Sequence, residues 1–270
     1  MSLALQSLVD RFQESKQALN LFDANVWWLV SDRGQLDDVS GMDRSLGIMN
    51  AMGCREGMVT YAGCIDYDPV QGNRQLVEQL RSLPNLHGCI VWAPEIGITA
   101  DRIAPYLDEM TSCNVSAVRM FPKKFNHSMR TWLVDEVLQA MQHRRIPLVL
   151  WHMEVPWDTV EDICVRYPDL PVIVEGNDQK LLYHNRNFIP LLKKHSNLYM
   201  ETHGLIQHGI MEHLVLDHGI DRLIFGSYLP HLDPNAAAAM LTDADIPIEA
   251  KRLIGGGNMR GLIRNIKRGK

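Results

Sequence analysis

The sequence predicts a single α/β domain with a (β/α)8 TIM-barrel architecture, preceded by an extra N-terminal helix and followed by a C-terminal helix. The chain has 270 residues, and a barrel of this kind typically takes about 250. Short apolar runs alternate with longer amphipathic segments, which is typical of parallel strands joined by crossover helices. We count eight such units, and this number favours a closed barrel over an open sheet.

The predicted N-terminal helix covers residues 1–20, where Leu5, Leu8 and Phe12 recur at helical spacing with charged residues between them. The barrel is expected over residues 21–270. Its eight strands are predicted at short apolar runs, namely 21–27, 58–62, 88–93, 116–121, 147–153, 171–175, 198–203 and 222–227. Helices are predicted between and after them, at 43–53, 73–82, 101–112, 130–144, 158–166, 187–195, 209–218, 235–242 and 248–267.

A doubly wound open sheet is the alternative fold. It requires a glycine-rich phosphate-binding turn after the first strand, but the first predicted strand leads into Trp27 and Trp28. The glycines of 255–257 lack the lysine and the serine or threonine of a phosphate loop. We therefore interpret them as a flexible turn before the terminal helix, and we favour the barrel.

Composition and charge exclude several functional classes. The net charge is −5 with mixed signs, so we expect neither nucleic acid nor a membrane surface as a partner. Five cysteines, an odd number with no C-x-x-C pair, predict buried free thiols in a reducing cytoplasm. Charged residues interrupt the apolar N-terminus, and no run of about 18 apolar residues occurs. We expect a cytoplasmic protein that binds a small molecule, and homo-oligomer formation is left open.

The active site of such a barrel lies at the carboxyl ends of its strands, and polar residues collect there in this sequence. The third predicted strand ends near Glu95, and the fifth carries His152 and Glu154 on what we expect to be one face. The further strand-end residues are Asn25 and Trp27 on the first strand, Arg119 on the fourth, Glu175 on the sixth, Glu201 and His203 on the seventh, and Tyr228 and His231 on or after the eighth. Their convergence predicts a functional site.

The order of these motifs resembles the amidohydrolase-related family of (β/α)8 barrels, over nearly the whole chain. The run 145–152 is similar to the family's fifth strand, which ends in a histidine, here His152. The run 221–227, followed by Pro230 and His231, resembles the eighth strand. The resemblance implies a metal-dependent hydrolase or a related enzyme built on this barrel.

The metal positions depart from the pattern that the resemblance implies. The first strand of the family supplies two histidines, and here the two positions hold Asn25 and Trp27. The sixth strand commonly ends in histidine, here Glu175, and the eighth gives an aspartate after glycine-serine, here Tyr228. His152 alone stands at its expected place. Because tryptophan cannot ligate zinc and asparagine is a poor ligand, a degenerate metal site follows.

Our first hypothesis is an amidohydrolase-related hydrolase with an altered or absent metal site, acting on a small carboxylate-bearing lactone, ester or amide. His152 or Glu175 would serve as the general base on water. Arg119 would hold the substrate carboxylate, and Tyr228 or His203 would donate to the developing oxyanion. Trp27, Asn25 and His231 complete the expected substrate-binding set.

Two alternatives remain. The first is a non-catalytic barrel that binds a small molecule or a partner protein, as the bulky Trp27 and Tyr228 in the metal region would suit. The second is a metal hydrolase whose Zn or Mn ligands are rebuilt from His152, Glu175 and either Glu154 or His203. The donor types allow this second reading, although we expect no cofactor.

Overall fold

The computed structural model describes residues 3–29, 40–94, 99–176 and 184–269. Its centre is one sheet of parallel strands that neighbour each other in chain order from β1 to β8. The strands are β1 (Phe22–Trp28), β2 (Glu56–Tyr61), β3 (Leu86–Val91), β4 (Val115–Met120), β5 (Leu148–Trp151), β6 (Val172–Glu175), β7 (Leu198–Glu201) and β8 (Leu223–Ile224). The predicted (β/α)8 barrel is confirmed.

Backbone hydrogen bonds join the last strand segment to the first. The amide of Ala24 donates to the carbonyl of Phe225 at 2.9 Å, and that of Trp27 donates to Leu229 at 2.8 Å. A register shift on β1 between Asp23 and Val26 interrupts the period of two. This bulge sits where β1 enters the candidate site and re-aims the side chains around it.

Helices follow the strands as the sequence predicts. They are α1 (Leu3–Leu19), α2 (Ser40–Met52), α3 (Gly63–Asp66), α4 (Pro69–Leu80), α5 (Ala100–Ser112), α6 (Thr131–Arg144), α7 (Trp157–Arg166), α8 (Asn185–Lys194), α9 (Ile210–His218), α10 (Pro234–Asp243), α11 (Ile248–Arg252) and α12 (Asn258–Arg264). The start of α10 is fixed by Asp233, whose side chain accepts from the amide of Asn235, and by Pro234 in the first turn. The short α3 was not predicted, because four residues carry no helical periodicity.

The single terminal helix that we expected over 248–267 is wrong. A π-helical turn, Leu253–Gly257, separates α11 from α12. The carbonyl of Ile254 accepts from the amide of Phe225 at 3.0 Å, so this turn is tied to the end of β8. A Cβ on Gly255 would lie 3.2 Å from Leu21. The glycines therefore form a buried, closely packed turn rather than a flexible one.

The barrel interior is packed with apolar side chains in its lower part and with polar ones above. Apolar side chains from successive strands form the lower cluster, with Ala117, Val149, Ile173 and Tyr199 among them. The next inward position on each of these strands, two residues later, belongs to Arg119, Trp151, Glu175 and Glu201 respectively. Side chains of α12 join the lower cluster where the strands begin. A polar layer thus lies toward the carboxyl end of the barrel.

No helix within the described ranges is long and apolar enough to cross a bilayer. The five cysteines are free thiols, and four of them are buried. The prediction of unpaired thiols is confirmed.

Replacing Ile173 by alanine should lower the free energy of unfolding by roughly 2–5 kcal/mol, because a fully buried side chain leaves a cavity in the barrel interior. Leu216, which is 82% exposed on α9, provides the matched control, and its alanine variant should change stability by less than about 0.5 kcal/mol. Urea unfolding of the three proteins measures both values. Equal losses for the two variants would contradict the assigned core.

Candidate active site

A cavity of about 280 Å³ opens at the carboxyl ends of the strands. Its walls are largely aromatic and apolar, from Trp27, Phe121, Trp151 and Tyr228. Polar side chains reach it at a few points, namely Asp66, Lys124, Glu154, Glu175 and His231. The cavity therefore combines a small apolar volume with carboxylates, a lysine and a histidine at its edge.

Arg119 and Glu175 form an ion pair beneath this cavity. The guanidinium is 1% exposed, and its Nη2 also lies 3.5 Å from Oδ1 of Asn25. The ring of Trp27 covers it, with 4.9 Å between the guanidinium carbon and the ring centroid. Arg119 is thus engaged inside the protein, and Glu175 is the partner that reaches the cavity.

Glu175 has an unusual electrostatic environment. Burial raises the pKa of its carboxyl group, and the charge of Arg119 offsets only part of this effect. Glu201 raises the pKa further, whereas His203 lowers it. The result is a carboxyl group at the cavity floor whose proton affinity is higher than that of an exposed glutamate.

A second buried pair joins Glu201 to His203. Oε2 of Glu201 contacts Nδ1 of His203, and Oε1 accepts from the His203 backbone amide at 2.8 Å. Burial acts to lower the pKa of His203, but the nearby carboxylates, above all Glu201, outweigh it and the net shift is upward. Nε2 of His203 has no hydrogen-bond partner among the residues that the structure describes. The imidazolium form is therefore favoured, with one donor left over.

Asn25 links the two ion pairs. Its Oδ1 accepts from the indole Nε1 of Trp27 at 2.9 Å and faces Arg119. Its Nδ2 donates to Oε2 of Glu201 at 3.2 Å and lies 3.3 Å from Nδ1 of His203. The residue at a position where the resemblance implies a histidine ligand thus connects two internal ion pairs.

Asp23 and the glycine-serine pair at 226–227 hold the base of this network. The Asp23 carboxyl accepts from the amide and the hydroxyl of Ser227 and from the amide of Asn25. Burial raises the pKa of Asp23 to about 6. A Cβ on Gly226 would stand 2.2 Å from Oε1 of Glu201. Only a glycine at 226 leaves the Glu201 carboxylate in its place.

Tyr228 covers the second ion pair, and the rings of Trp27 and His231 pack against Tyr228. Tyr228 stacks on His203, with 5.0 Å between centroids and 13° between planes, and on His231 at 4.5 Å. Trp27 packs edge-on against Tyr228 and His231. The backbone of Tyr228 has a φ of +59°, a left-handed conformation that is rare for a bulky residue. This strained position aims the phenol over the network.

His152 lies apart from the pairs. β5 ends at Trp151, so the prediction that His152 and Glu154 share one face of this strand is wrong. Nδ1 of His152 faces the backbone carbonyl of Glu175 at 3.2 Å, and its ring packs near Trp157. Counting in twos from the inward Val149 selects Trp151 instead, and Trp151 lines the cavity.

Glu154 supports a neighbouring loop. Its Oε2 accepts from the backbone amides of Lys123 and Lys124 at 2.7 and 3.1 Å. Sequence reasoning also missed Lys124 and Phe121 as cavity residues. Phe121 follows Arg119 by two residues, and the same alternation would have indicated it. Glu95 lies outside the described residues.

The proposed ligands of a rebuilt metal site do not come together. Within the described ranges, no group of three or more His, Cys, Asp or Glu residues is arranged to hold a metal ion. His152 faces a backbone carbonyl, Glu154 caps a loop, and His203 is paired with Glu201. The Glu175 carboxylate is paired with a guanidinium. These residues do not fit a catalytic zinc or manganese ion.

Comparisons with known proteins identify the fold. No protein-family model and no curated protein sequence matches the chain. A putative amidohydrolase from Staphylococcus aureus superposes with a TM-score of 0.69 at 14% identity, covering 90% of this chain and 99% of that one. For 5-carboxyvanillate decarboxylase from Sphingomonas paucimobilis the TM-score is 0.66 at 12% identity, with coverages of 91% and 99%. The resemblance to amidohydrolase-related barrels is confirmed at the level of the fold.

A manganese-containing neighbour belongs to the same structural group. Dihydroxybenzoic acid decarboxylase from Polaromonas sp., with bound manganese and an inhibitor, has a TM-score of 0.68 at 14% identity, covering 91% of this chain and 97% of that one. The shared barrel in that protein carries a metal.

Gly226→Ala should destabilise the protein by about 1–3 kcal/mol, because the added methyl group collides with the Glu201 carboxylate in a packed interior. Gly47 in α2 has open space around its Cα and serves as the matched control. Gly47→Ala should stabilise the helix by roughly 0.5–1 kcal/mol. Thermal and urea unfolding distinguish the two, and a neutral Gly226→Ala would contradict the close approach.

Asp23 should make stability depend on pH between about 4 and about 6. Its folded pKa lies above the ordinary value, so its contribution is complete at low pH and is lost as the pH rises through the folded pKa. The elevation corresponds to about 3 kcal/mol. Asp23→Asn cannot titrate at this position, so the stability of the wild type relative to this variant should fall over that window. Parallel pH profiles would exclude the elevated pKa.

Proposed function

We propose that the protein is an amidohydrolase-related enzyme that hydrolyses a small carboxylate-bearing lactone, ester or amide with Glu175 as its general base. One observation carries this proposal: the Glu175 carboxylate faces the cavity while a buried cation holds it from below. Its raised pKa brings proton transfer closer to the working pH of a cytoplasmic enzyme, where general-base catalysis is most effective.

The chemistry needs only groups that border the cavity. Glu175 takes a proton from water as the water oxygen bonds to the substrate carbonyl carbon. The Tyr228 hydroxyl donates to the oxyanion that forms, and burial keeps it protonated by raising its pKa. The protonated Glu175 then delivers its proton to the leaving alkoxide or amine as the acyl bond breaks.

The cavity suggests a planar, ring-containing substrate. Its aromatic walls suit stacking, and its volume of about 280 Å³ fits a small molecule. Arg119 is already paired, so we assign the substrate carboxylate to the lysine and histidine at the cavity edge, Lys124 and His231. Burial lowers the pKa of His231, which makes it a neutral hydrogen-bonding group. Two structural neighbours are named as decarboxylases of aromatic acids, which supports aromatic carboxylates as ligands.

Binding without turnover is the second candidate. The charges of Arg119 and His203 are neutralised within the protein, and Trp27 and Tyr228 cover them. A pocket built this way would hold a ligand even if Glu175 transferred no proton. Ligand-induced thermal stabilisation without any product would support this candidate.

We expect the wild type to hydrolyse at least one member of a panel of carboxylate-bearing lactones, aryl esters and amides. Glu175→Gln should lower kcat by about 100-fold or more. Glu175→Asp retains a charge for Arg119 but withdraws the carboxylate from the cavity, so it should lose activity while remaining folded. Steady-state kinetics and circular dichroism measure the two effects.

Glu154→Gln is the matched control, because it changes a carboxylate of the same cavity that serves a loop instead. Its kcat should stay close to that of the wild type. His152→Ala tests the competing base: a 100-fold loss there, with Glu175→Asp fully active, would transfer the role to His152. One equivalent of tightly bound zinc or manganese in protein purified without chelator would instead revive the metal hydrolase.

A further inference from the structure

Among the described residues, the edge of the cavity carries more negative than positive charge. Asp66 and Glu154 contribute two carboxylates there, and Lys124 contributes one ammonium group. Glu175 is already paired with the buried guanidinium beneath the cavity. Burial lowers the pKa of His231, so this side chain adds no positive charge at neutral pH. A ligand that brought only a carboxylate would add to this negative excess, which is unfavourable by Coulomb's law.

Asp66 carries a charge that the protein does not pair internally. No hydrogen bond and no ion pair joins its side chain to any residue that the structure describes. Glu154 differs, because two backbone amides donate to its Oε2 at 2.7 and 3.1 Å. Asp66 is therefore the carboxylate of this edge that is available to a cationic group of a ligand.

The position of Asp66 is fixed by the turn that it ends. The backbone amide of Asp66, the last residue of α3, donates to the carbonyl of Ala62 at 3.0 Å, and the amide of Ala62 donates to Trp28 of β1 at 2.9 Å. A Cβ on Gly72 of α4 would lie 2.6 Å from the amide nitrogen of Cys64. Helix α4 thus packs directly against α3, and both the sheet and this helix hold Asp66 at the cavity edge.

Aromatic rings lie next to Asp66. Its charge acts on His231, whose ring stacks on Tyr228 with 4.5 Å between centroids. The ring of Trp27 lies 5.8 Å from that of His231 and 6.4 Å from that of Phe121. All four rings border the cavity. Aromatic faces attract organic ammonium groups, so the cavity combines rings and an unpaired carboxylate, the two features that recognise such a cation.

Asp66 and Lys124 reach the cavity from different parts of the barrel. Asp66 lies between β2 and α4, whereas Lys124 lies between β4 and α6. Strand β3 separates β2 from β4. The side chain of Lys124 also forms no hydrogen bond or ion pair within the described ranges. One small ligand can therefore meet a negative charge at one place and a positive charge at another.

We propose that the substrate of this cavity is a zwitterion, with an ammonium group held by Asp66 and the neighbouring rings in addition to its carboxylate. The inference rests on the proposed function, because it names the substrate class of the same site. Recognition of the ammonium group is a property of binding. It is therefore measured with ligands that contain no bond to hydrolyse, separately from the action of Glu175.

The test uses pairs of benzoates that differ mainly in one positive charge. In the first pair, para-(trimethylammonio)benzoate is compared with para-tert-butylbenzoate, which has the same shape. In the second, para-(aminomethyl)benzoate is compared with para-ethylbenzoate. The wild type should bind the zwitterion of at least one pair about 10-fold more tightly than its anionic partner. Isothermal titration calorimetry measures the four dissociation constants.

Three variants locate the recognition. Asp66→Asn should weaken binding of the preferred zwitterion by about 5-fold and should not weaken binding of its anionic partner. Phe121→Leu keeps an apolar side chain but removes a ring, and it should also act on the zwitterion alone. Asp68→Asn is the matched control, because Asp68 caps α4 through the amide of Gln71 at 2.7 Å and asparagine caps equally well. It should change neither affinity.

The proposal is overturned if neither zwitterion binds more tightly than its partner, if neither binds at all, or if Asp66→Asn leaves the preference unchanged. Hydrolysis of carboxylate-bearing substrates without such a preference would keep the proposed function and remove the zwitterion. A preference that depends on Asp66, with no ester, lactone or amide hydrolysed, would do the opposite. The cavity would then be a binding site for zwitterions.

Discussion

A positive charge buried inside the barrel is the constraint on which the carboxyl end of this protein depends. A guanidinium removed from water is tolerated only when paired and hydrogen-bonded, and Arg119 is 1% exposed. Glu175 supplies the counter-charge, Trp27 supplies a ring face, and Asn25 ties both to the neighbouring strands. These contacts fix the shape of the cavity floor. Glu175 both pairs with Arg119 and faces the cavity, and we assign the chemistry to its carboxylate.

The sequence predicts the barrel well because the patterns that indicate its strands and helices are local. Alternating apolar runs and amphipathic segments give the eight strand-helix units, and the same alternation places Arg119 and Glu175 in the interior. It failed at His152, because β5 ends at Trp151, two residues before the predicted end at residue 153, and the next side chain turns away. Pattern alone could not foresee the π-helical turn at 253–257, which a hydrogen bond from a distant strand imposes.

The sequence could not predict which buried charged side chains pair with each other, for a different reason. Arg119 and Glu175 are 56 positions apart, and only the staggered register of the barrel strands decides which polar ends meet. From the sequence, Asn25 is interpreted as the replacement of a metal ligand. Its role as a link between two ion pairs depends on a bulge in β1. The sequence shows at which positions the expected histidines are replaced. Only the structure shows which contacts compensate for their replacement.

The linking position of Asn25 has an evolutionary consequence. Because one amide contacts both ion pairs, substitutions at Glu175 and His203 should be epistatic, since neighbours in one network do not contribute additively. Replacing Glu175 or Glu201 first leaves a buried cation without its counter-charge. Replacing Arg119 first leaves carboxylates that can be neutralised by protonation. Mutational routes in which the arginine changes before its partners should therefore cost less stability than the reverse order.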